Sequence, residues 1–189
     1  VAMDVCKGQQ YDMEFETRDD VIEQEYIDMI YLKTSVLIAG SIRHGALVAG
    51  APEHEYNALY DFGGYLGLVF QLQDDYLDVY GDVAEFGKKI GGDILSNKKT
   101  YMLIKALELA SPEDKALLKE WIAKKEFDPQ EKIKAVTEIY NRTGIKEVVM
   151  SKIDSYMAKS REALAMVDVP EERKVYFREM VDYIDDQKK

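Results

Sequence analysis

Phe70-Gln71-Leu72-Gln73-Asp74-Asp75-Tyr76-Leu77-Asp78 is the stretch on which the reading of this chain turns. Asp74 and Asp78 stand four residues apart, so a helix puts both on one face, and Gln71 joins them from three residues earlier. Gly67 and Gly63 extend the stripe backwards. It is bare at one end and strongly anionic at the other. Like charges at this spacing cost an isolated helix about 0.2–0.5 kcal/mol, so the arrangement asks for a counter-charge. Carboxylate oxygens suit Mg²⁺, which takes one or two of them and leaves its other positions to water and phosphate. Bare glycines admit either close helix packing or a ligand chain. The plainer alternative is a solvated acidic face. Against it, the acids lie among Phe70, Leu72, Tyr76, Leu77 and Val79, and lysines flank them in sequence: Lys33 within the preceding apolar stretch, and Lys88, Lys89, Lys98 and Lys99 just after. Carboxylates, Mg²⁺ and ammonium groups together describe a diphosphate site.

On either side of this stretch the periodicity is helical nearly throughout. Residues 21–50, 53–82, 98–110, 113–126, 130–141 and 145–166 carry apolar residues at three- and four-residue steps. No alternating strand pattern and no Asn-Gly or Asp-Gly hairpin turn occurs. Ser111-Pro112 and Asp128-Pro129, each followed by acids, read as a cap and then proline at the first helical position. Asp20 and Glu23 resemble a capping box. The first two stretches predict helices of about 45 Å. The short turn Gly50-Ala51-Pro52 sets them antiparallel. Residues 81–98, rich in Gly, Lys and Asp, read as a loop bearing function.

Composition narrows the function classes. The 189 residues carry 25 Lys+Arg against 36 Asp+Glu, a net charge of −11, which argues against nucleic acid as a partner. The single cysteine, Cys6, cannot form an internal disulfide and fits a reducing compartment. No apolar run of membrane-spanning length and no signal-peptide pattern appears. His44 and His54 lack the Glu-x-x-His pattern of a di-iron bundle.

These residues resemble the trans-isoprenyl diphosphate synthases, the polyprenyl synthetase family. Residues 71–78 are similar to that family's second aspartate-rich motif, with Phe70 and Gln71 as its preceding Phe-Gln. Phe86-Gly87-Lys88-Lys89-Ile90-Gly91-Gly92-Asp93-Ile94 resembles its Gly-Lys…Gly-x-Asp loop, and Asn97-Lys98-Lys99 the Asn-Lys that follows. Leu32-Lys33-Thr34 resembles its Lys-Thr motif, and Lys7-Gly8-Gln9-Gln10-Tyr11-Asp12 its Gly-Gln-x-x-Asp. From Thr100 onward the likeness is helical only. The family's first aspartate-rich motif and its Gly-Lys-x-x-Arg and Arg-Arg elements for isopentenyl diphosphate have no counterpart here. The expectation is therefore one all-α domain over residues 1–189, corresponding to the C-terminal half or so of such a synthase. That expectation includes an isoprenoid-synthase-type helical bundle around a central cavity. The start at Val1 agrees with a truncation.

The resemblance implies an Mg²⁺-dependent prenyltransferase. An allylic diphosphate would condense head-to-tail with isopentenyl diphosphate, releasing diphosphate. It implies Asp74 and Asp78 as metal ligands. Asp75, about 100° off their face, would act through another group. Asp12 and Asp93 are weaker metal candidates. Lys33, Lys98 and one of Lys88 or Lys89 would hold the allylic diphosphate. Thr34 and Gln71 would line the allylic site near the departing proton. Gln9 is a weaker substrate contact, and Phe70 would stack near the isopentenyl side. The resemblance implies Lys33, Thr34, Gln71 and Lys89 as the catalytic set. A cytoplasmic homodimer is implied too. The fragment alone should have little turnover, and product length stays open. Two rivals remain: a class I terpene cyclase, which Asp74-Asp75-x-x-Asp78-x-x-x-Asp82 loosely matches, and a non-catalytic subunit of a prenyl synthase heterodimer. A calcium-binding loop fails because Val79 stands where glycine is needed.

Overall fold

A computed structural model of the chain describes residues 1–81 and 90–186. No strand occurs among them. In chain order the helices are α1 (Ala2–Phe15), α2 (Glu23–Ile30), a π turn (Tyr31–Ser35), α3 (Val36–Val48), α4 (Glu53–Tyr80), α5 (Gly92–Leu95), α6 (Tyr101–Leu109), α7 (Pro112–Ala123), α8 (Pro129–Arg142) and α9 (Ile145–Ala165). A 3₁₀ turn (Glu171–Arg173) and α10 (Val175–Asp186) follow. The all-α expectation holds, and none of these helices is long and apolar enough to cross a membrane.

Several boundaries follow from local chemistry. The Ser111 hydroxyl accepts from the Asp114 N–H at 3.1 Å, and the Asp128 carboxylate from the N–H groups of Gln130 and Glu131 at 2.9 and 3.0 Å. Both caps precede a proline in the first turn, as the sequence predicts. The box expected at Asp20 and Glu23 does not form. Arg18 takes Asp20 at 2.7 Å and Glu25 at 2.8 Å, and Glu25 accepts the Ile22 N–H instead. A guanidinium two residues before Asp20 outcompetes a backbone donor for the carboxylate. The 30-residue helix expected over 21–50 is interrupted by the π turn, and the predicted loop after α4 contains the short α5.

The chain forms two compact units. The first comprises Val1–Asp12, Ile27–Gln73 and Lys152–Lys189. Its core is built on Ile30, Val36, Ala39, Phe62, Leu66, Val69, Ile153, Met157 and Val181. Phe62 meets Phe177 edge-on at 5.4 Å. Two polar bonds fix the C-terminal helices there: Ser160 donates to the Phe62 carbonyl at 3.2 Å, and Gln73 to the Ile184 carbonyl at 2.9 Å. The second unit comprises Met13–Tyr26 and Asp74–Ser151. In it α6, α7 and α8 pack on one another and α5 packs on α8. Its core includes Tyr26, Tyr76, Tyr101, Met102, Leu118, Val136, Ile139, Tyr140, Ile145 and Val149.

Candidate active site

In the second unit the acidic end of α4 meets the turn around α5. Asp75 is 1 % exposed. Its carboxylate accepts a short hydrogen bond from the Tyr26 hydroxyl and another from Lys98 Nζ at 3.1 Å. Lys98 reaches Asp93 as well, at 3.2 Å. The Asp93 N–H donates to Asp78 Oδ2 at 2.9 Å, and the Gly91 N–H to the Asp78 carbonyl at 2.6 Å. A Cβ on Gly92 would come within 3.3 Å of Asp78 Oδ1, so glycine keeps that oxygen uncrowded. Asp74 lies exposed one turn before Asp78.

The electrostatics of this network are lopsided. Burial, then the charge of Asp75, pushes the Asp93 carboxyl up to about 6 against the pull of Lys98. Burial also works against the Lys98 charge, but Asp75 and Asp93 outweigh it and hold its pKa above the ordinary lysine value. One ammonium thus serves two acids, with a third acid bonded to the backbone between them.

Sequence reasoning missed what supports Lys98. Asn97 holds the left-handed φ of 55° that turns the chain between α5 and α6. Its side chain donates to the Ile122 carbonyl at 3.1 Å and accepts from Lys132 Nζ at 2.7 Å. Lys132 is buried, lies 4.2 Å from the Phe127 ring, and has its pKa lowered by burial. The signal was available: Lys132 shares the buried face of α8 with Val136, Ile139 and Tyr140, at helical spacing. Tyr26 carried no comparable signal.

In the first unit the Lys-Thr motif sits on the π turn. Lys33 Nζ donates to Asp12 at 2.5 Å, and the Thr34 hydroxyl to Gln71 Oε1 at 3.0 Å. Of the two uses open to the bare glycines, close packing is the one found. A Cβ on Gly67 would stand 2.6 Å from Ser35 Cα, and one on Gly63 2.9 Å from Ala39 Cα. At these two positions backbone, not a ligand chain, fills the space beside the glycines. Gln9 and Phe70 are exposed. Lys88 and Lys89 lie outside the described residues.

The metal reading can be tested on the donor set. Among the described residues no three acidic, histidine or cysteine side chains cluster closely enough to hold a metal by themselves. Asp74 and Asp78 offer oxygens on successive turns of α4. A pair of carboxylates completed by water and phosphate is what Mg²⁺ accepts, so the residues fit that ion.

Comparison with known proteins places this geometry. The polyprenyl synthetase family model matches residues 1–140. The chain belongs to the polyprenyl synthetase family. It is 38% identical over 169 residues to a short chain isoprenyl diphosphate synthase of Methanothermobacter thermautotrophicus, covering 89% of this chain and 51% of that protein. A crystal structure of a geranylgeranyl pyrophosphate synthase superposes with a TM-score of 0.88 at 40% identity, over 97% of this chain and 56% of the other. A Corynebacterium glutamicum geranylgeranyl pyrophosphate synthase, complexed with isoprenyl diphosphate and magnesium, gives 0.88 at 31% identity, over 97% and 52%. The chain thus spans about half the length of these polyprenyl synthetase relatives.

Proposed function

We propose that this chain supplies part of the active site of an isoprenyl diphosphate synthase, which joins an allylic diphosphate head-to-tail to isopentenyl diphosphate. Activity is proposed for a protein of the family's full length, and little or none for these 189 residues alone. The carrying observation is the Asp75–Lys98–Asp93–Asp78 network: an ammonium fixed by the buried Asp75 and by Asp93, whose own N–H holds the Asp78 carboxylate at the end of α4. Membership of the family supports the same reading.

Asp74 and Asp78 would hold Mg²⁺, and Asp75 would act through Lys98. Asp12 and Asp93 are read here as partners of Lys33 and Lys98. Mg²⁺, when bound, would neutralise charge developing on the leaving diphosphate. Lys98, Lys33 and one of Lys88 or Lys89 are assigned to the allylic diphosphate on the resemblance, as donors whose hydrogen bonds would strengthen as the allylic C–O bond lengthens. Carbon 1 of the allyl group then bonds to the isopentenyl double bond, and a proton leaves the new chain. Thr34 and Gln71, hydrogen-bonded to each other, would orient the allylic group, while Phe70 and Gln9 are assigned to substrate on the resemblance alone. A homodimer working in the cytoplasm is proposed on the same ground.

The test uses the full-length protein with isopentenyl diphosphate, Mg²⁺ and, in turn, dimethylallyl, geranyl and farnesyl diphosphates. Longer prenyl diphosphates, lost on adding chelator, are expected. Release of diphosphate with a cyclic hydrocarbon would replace this reading with a terpene cyclase. A folded protein without turnover on any allylic substrate would replace it with a non-catalytic subunit.

A further inference from the structure

Helix α2 does not run smoothly into α3. The π turn between them is closed by the Val36 N–H on the Tyr31 carbonyl. The buried positions record the extra residue: Tyr26, Ile30, Ser35 and Ala39 follow at steps of four, five and four. An interruption of this kind weakens the regular ladder and persists where its neighbours hold it.

Two helix segments of the first unit hold it, and in the same way. On α1, a Cβ at Gly8 would stand 2.7 Å from Lys33 Cα and 2.8 Å from the Leu32 carbonyl carbon. Four residues on, Asp12 takes the Lys33 ammonium at 2.5 Å. On α4, a Cβ at Gly67 would stand 2.6 Å from Ser35 Cα and 2.7 Å from Ser35 Oγ. Four residues on, Gln71 takes the Thr34 hydroxyl at 3.0 Å. Each flank combines a glycine, where backbone meets backbone, with a polar side chain one turn later on the same face. Gly45, on α3 just beyond, shows the contrast: nothing lies within 4 Å of an added Cβ.

We propose that Gly8 and Gly67 are positioning residues, a pair of clamps that fix the π turn so that α1 aims Lys33 and α4 aims Thr34. Only the kinetic consequence rests on the prenyltransferase reading. If Lys33 binds diphosphate and Thr34 faces the reacting group, loosening the α1 flank weakens substrate binding and loosening the α4 flank slows the chemistry.

The clamp is tested on the chain itself. Lys33 is followed by mass spectrometry under a limiting amine-reactive ester, and the Val36 amide by hydrogen exchange. Lys33 labelling should rise at least fivefold in Gly8→Ala and Asp12→Asn. Val36 exchange should rise at least tenfold in Gly67→Ala and Gln71→Leu. Gly45→Ala should raise neither. Asp12→Asn and Gln71→Leu add no atom to a backbone contact, so they keep the test decisive even where a glycine variant fails to fold. Lys33 labelling within twofold of the parent in Asp12→Asn, or Val36 exchange within twofold in Gln71→Leu, overturns the clamp. In the full-length protein, Gly8→Ala should raise KM for the allylic diphosphate at least fivefold. Gly67→Ala should lower kcat per folded molecule at least tenfold. A merely structural role would lower the folded fraction and leave KM unmoved. If labelling and exchange respond while KM and kcat per folded molecule do not, the clamp stands and the assignment of Lys33 and Thr34 to substrate falls.

Discussion

Replacing Lys98 by Met keeps most of the side-chain volume and deletes one charge. Asp75 would then be a carboxylate, 1 % exposed, with its ammonium partner gone. Removing one member of a buried pair costs about 3–5 kcal/mol. Lys98 is 30% exposed and the Tyr26 hydroxyl remains on Asp75, so the lower end, about 3 kcal/mol, is expected. For a chain of this size that is a fall in Tm of about 6–12 °C. The pH dependence gives a second arm. In the parent, Lys98 has a raised pKa, so it keeps its proton in the folded and the unfolded chain alike between pH 5 and 8 and adds no titration of its own in that window. Asp93, by contrast, is raised to about 6 from 3.8. The folded form therefore binds that proton more tightly than the unfolded form, and stability from this group grows as pH falls through 6. Lys98 is the group that restrains the rise. Without it Asp93 climbs further, and the variant should recover stability as pH falls from 8 to 5. Trp121, the only tryptophan, lies on α7 in the same unit as the network, so its fluorescence in urea reports the relevant unfolding. The double variant Asp75→Asn/Lys98→Met removes the stranded charge and should regain at least about half of the loss. A cost below about 0.5 kcal/mol at pH 8, or the same cost at pH 5 and pH 8, would show that Lys98 is not the counter-charge on which Asp75 and Asp93 depend.

Asp78→Asn in the full-length protein should lower Mg²⁺-dependent turnover by about two orders of magnitude or more, as should Asp74→Asn. Near-normal rates in either would remove that residue from the metal site. Asp128→Ala strips the acceptor from two N–H groups at the start of α8, so a loss of about 1 kcal/mol is expected in urea denaturation. An unchanged midpoint would show that water caps this helix equally well. Gly45→Ala adds a methyl into open space within an exposed helical turn and should stabilise the chain by up to about 1 kcal/mol. A lower Tm would mean that the position is crowded in solution.

The helices were legible because their signals are local. Ser111-Pro112 and Asp128-Pro129 announce their own caps within three residues, and the donors that answer them are the next N–H groups along the chain. Asp20 shows the limit of that logic. Its expected backbone partner lost to Arg18, an ionic competitor that a capping rule does not weigh. The π turn was hidden for a different reason. One extra residue displaces the apolar stripe by about 100°, less than the width of the stripe itself, so residues 21–50 still scan as a single helix. The Val36 N–H on the Tyr31 carbonyl and the five-residue step in burial from Ile30 to Ser35 expose the insertion.

The candidate site divides along the same line. Spacing shows that Asp74, Asp75 and Asp78 are close in space, because one turn of helix brings them together. Spacing does not show which acid keeps a counter-charge of its own. Asp75 is the buried one, and Lys98 reaches it from 23 residues away after a turn held by Asn97 and Lys132. That changes how the lysine works. An ammonium held by Asp75 and Asp93 is oriented before any ligand arrives, so in the proposed role little side-chain entropy would be lost on meeting a diphosphate oxygen. The arrangement also sets a limit. Each acid that orients Lys98 draws on the charge it offers to an incoming anion, so the ammonium alone is a weak trap for diphosphate. The neighbouring Asp74 and Asp78 make matters worse in the absence of a cation and better in its presence. The geometry therefore predicts that diphosphate binding depends steeply on Mg²⁺. Inorganic diphosphate titrated calorimetrically into the full-length protein should bind at least tenfold more weakly with chelator, and equal affinity under both conditions would show that the lysines suffice without the acids.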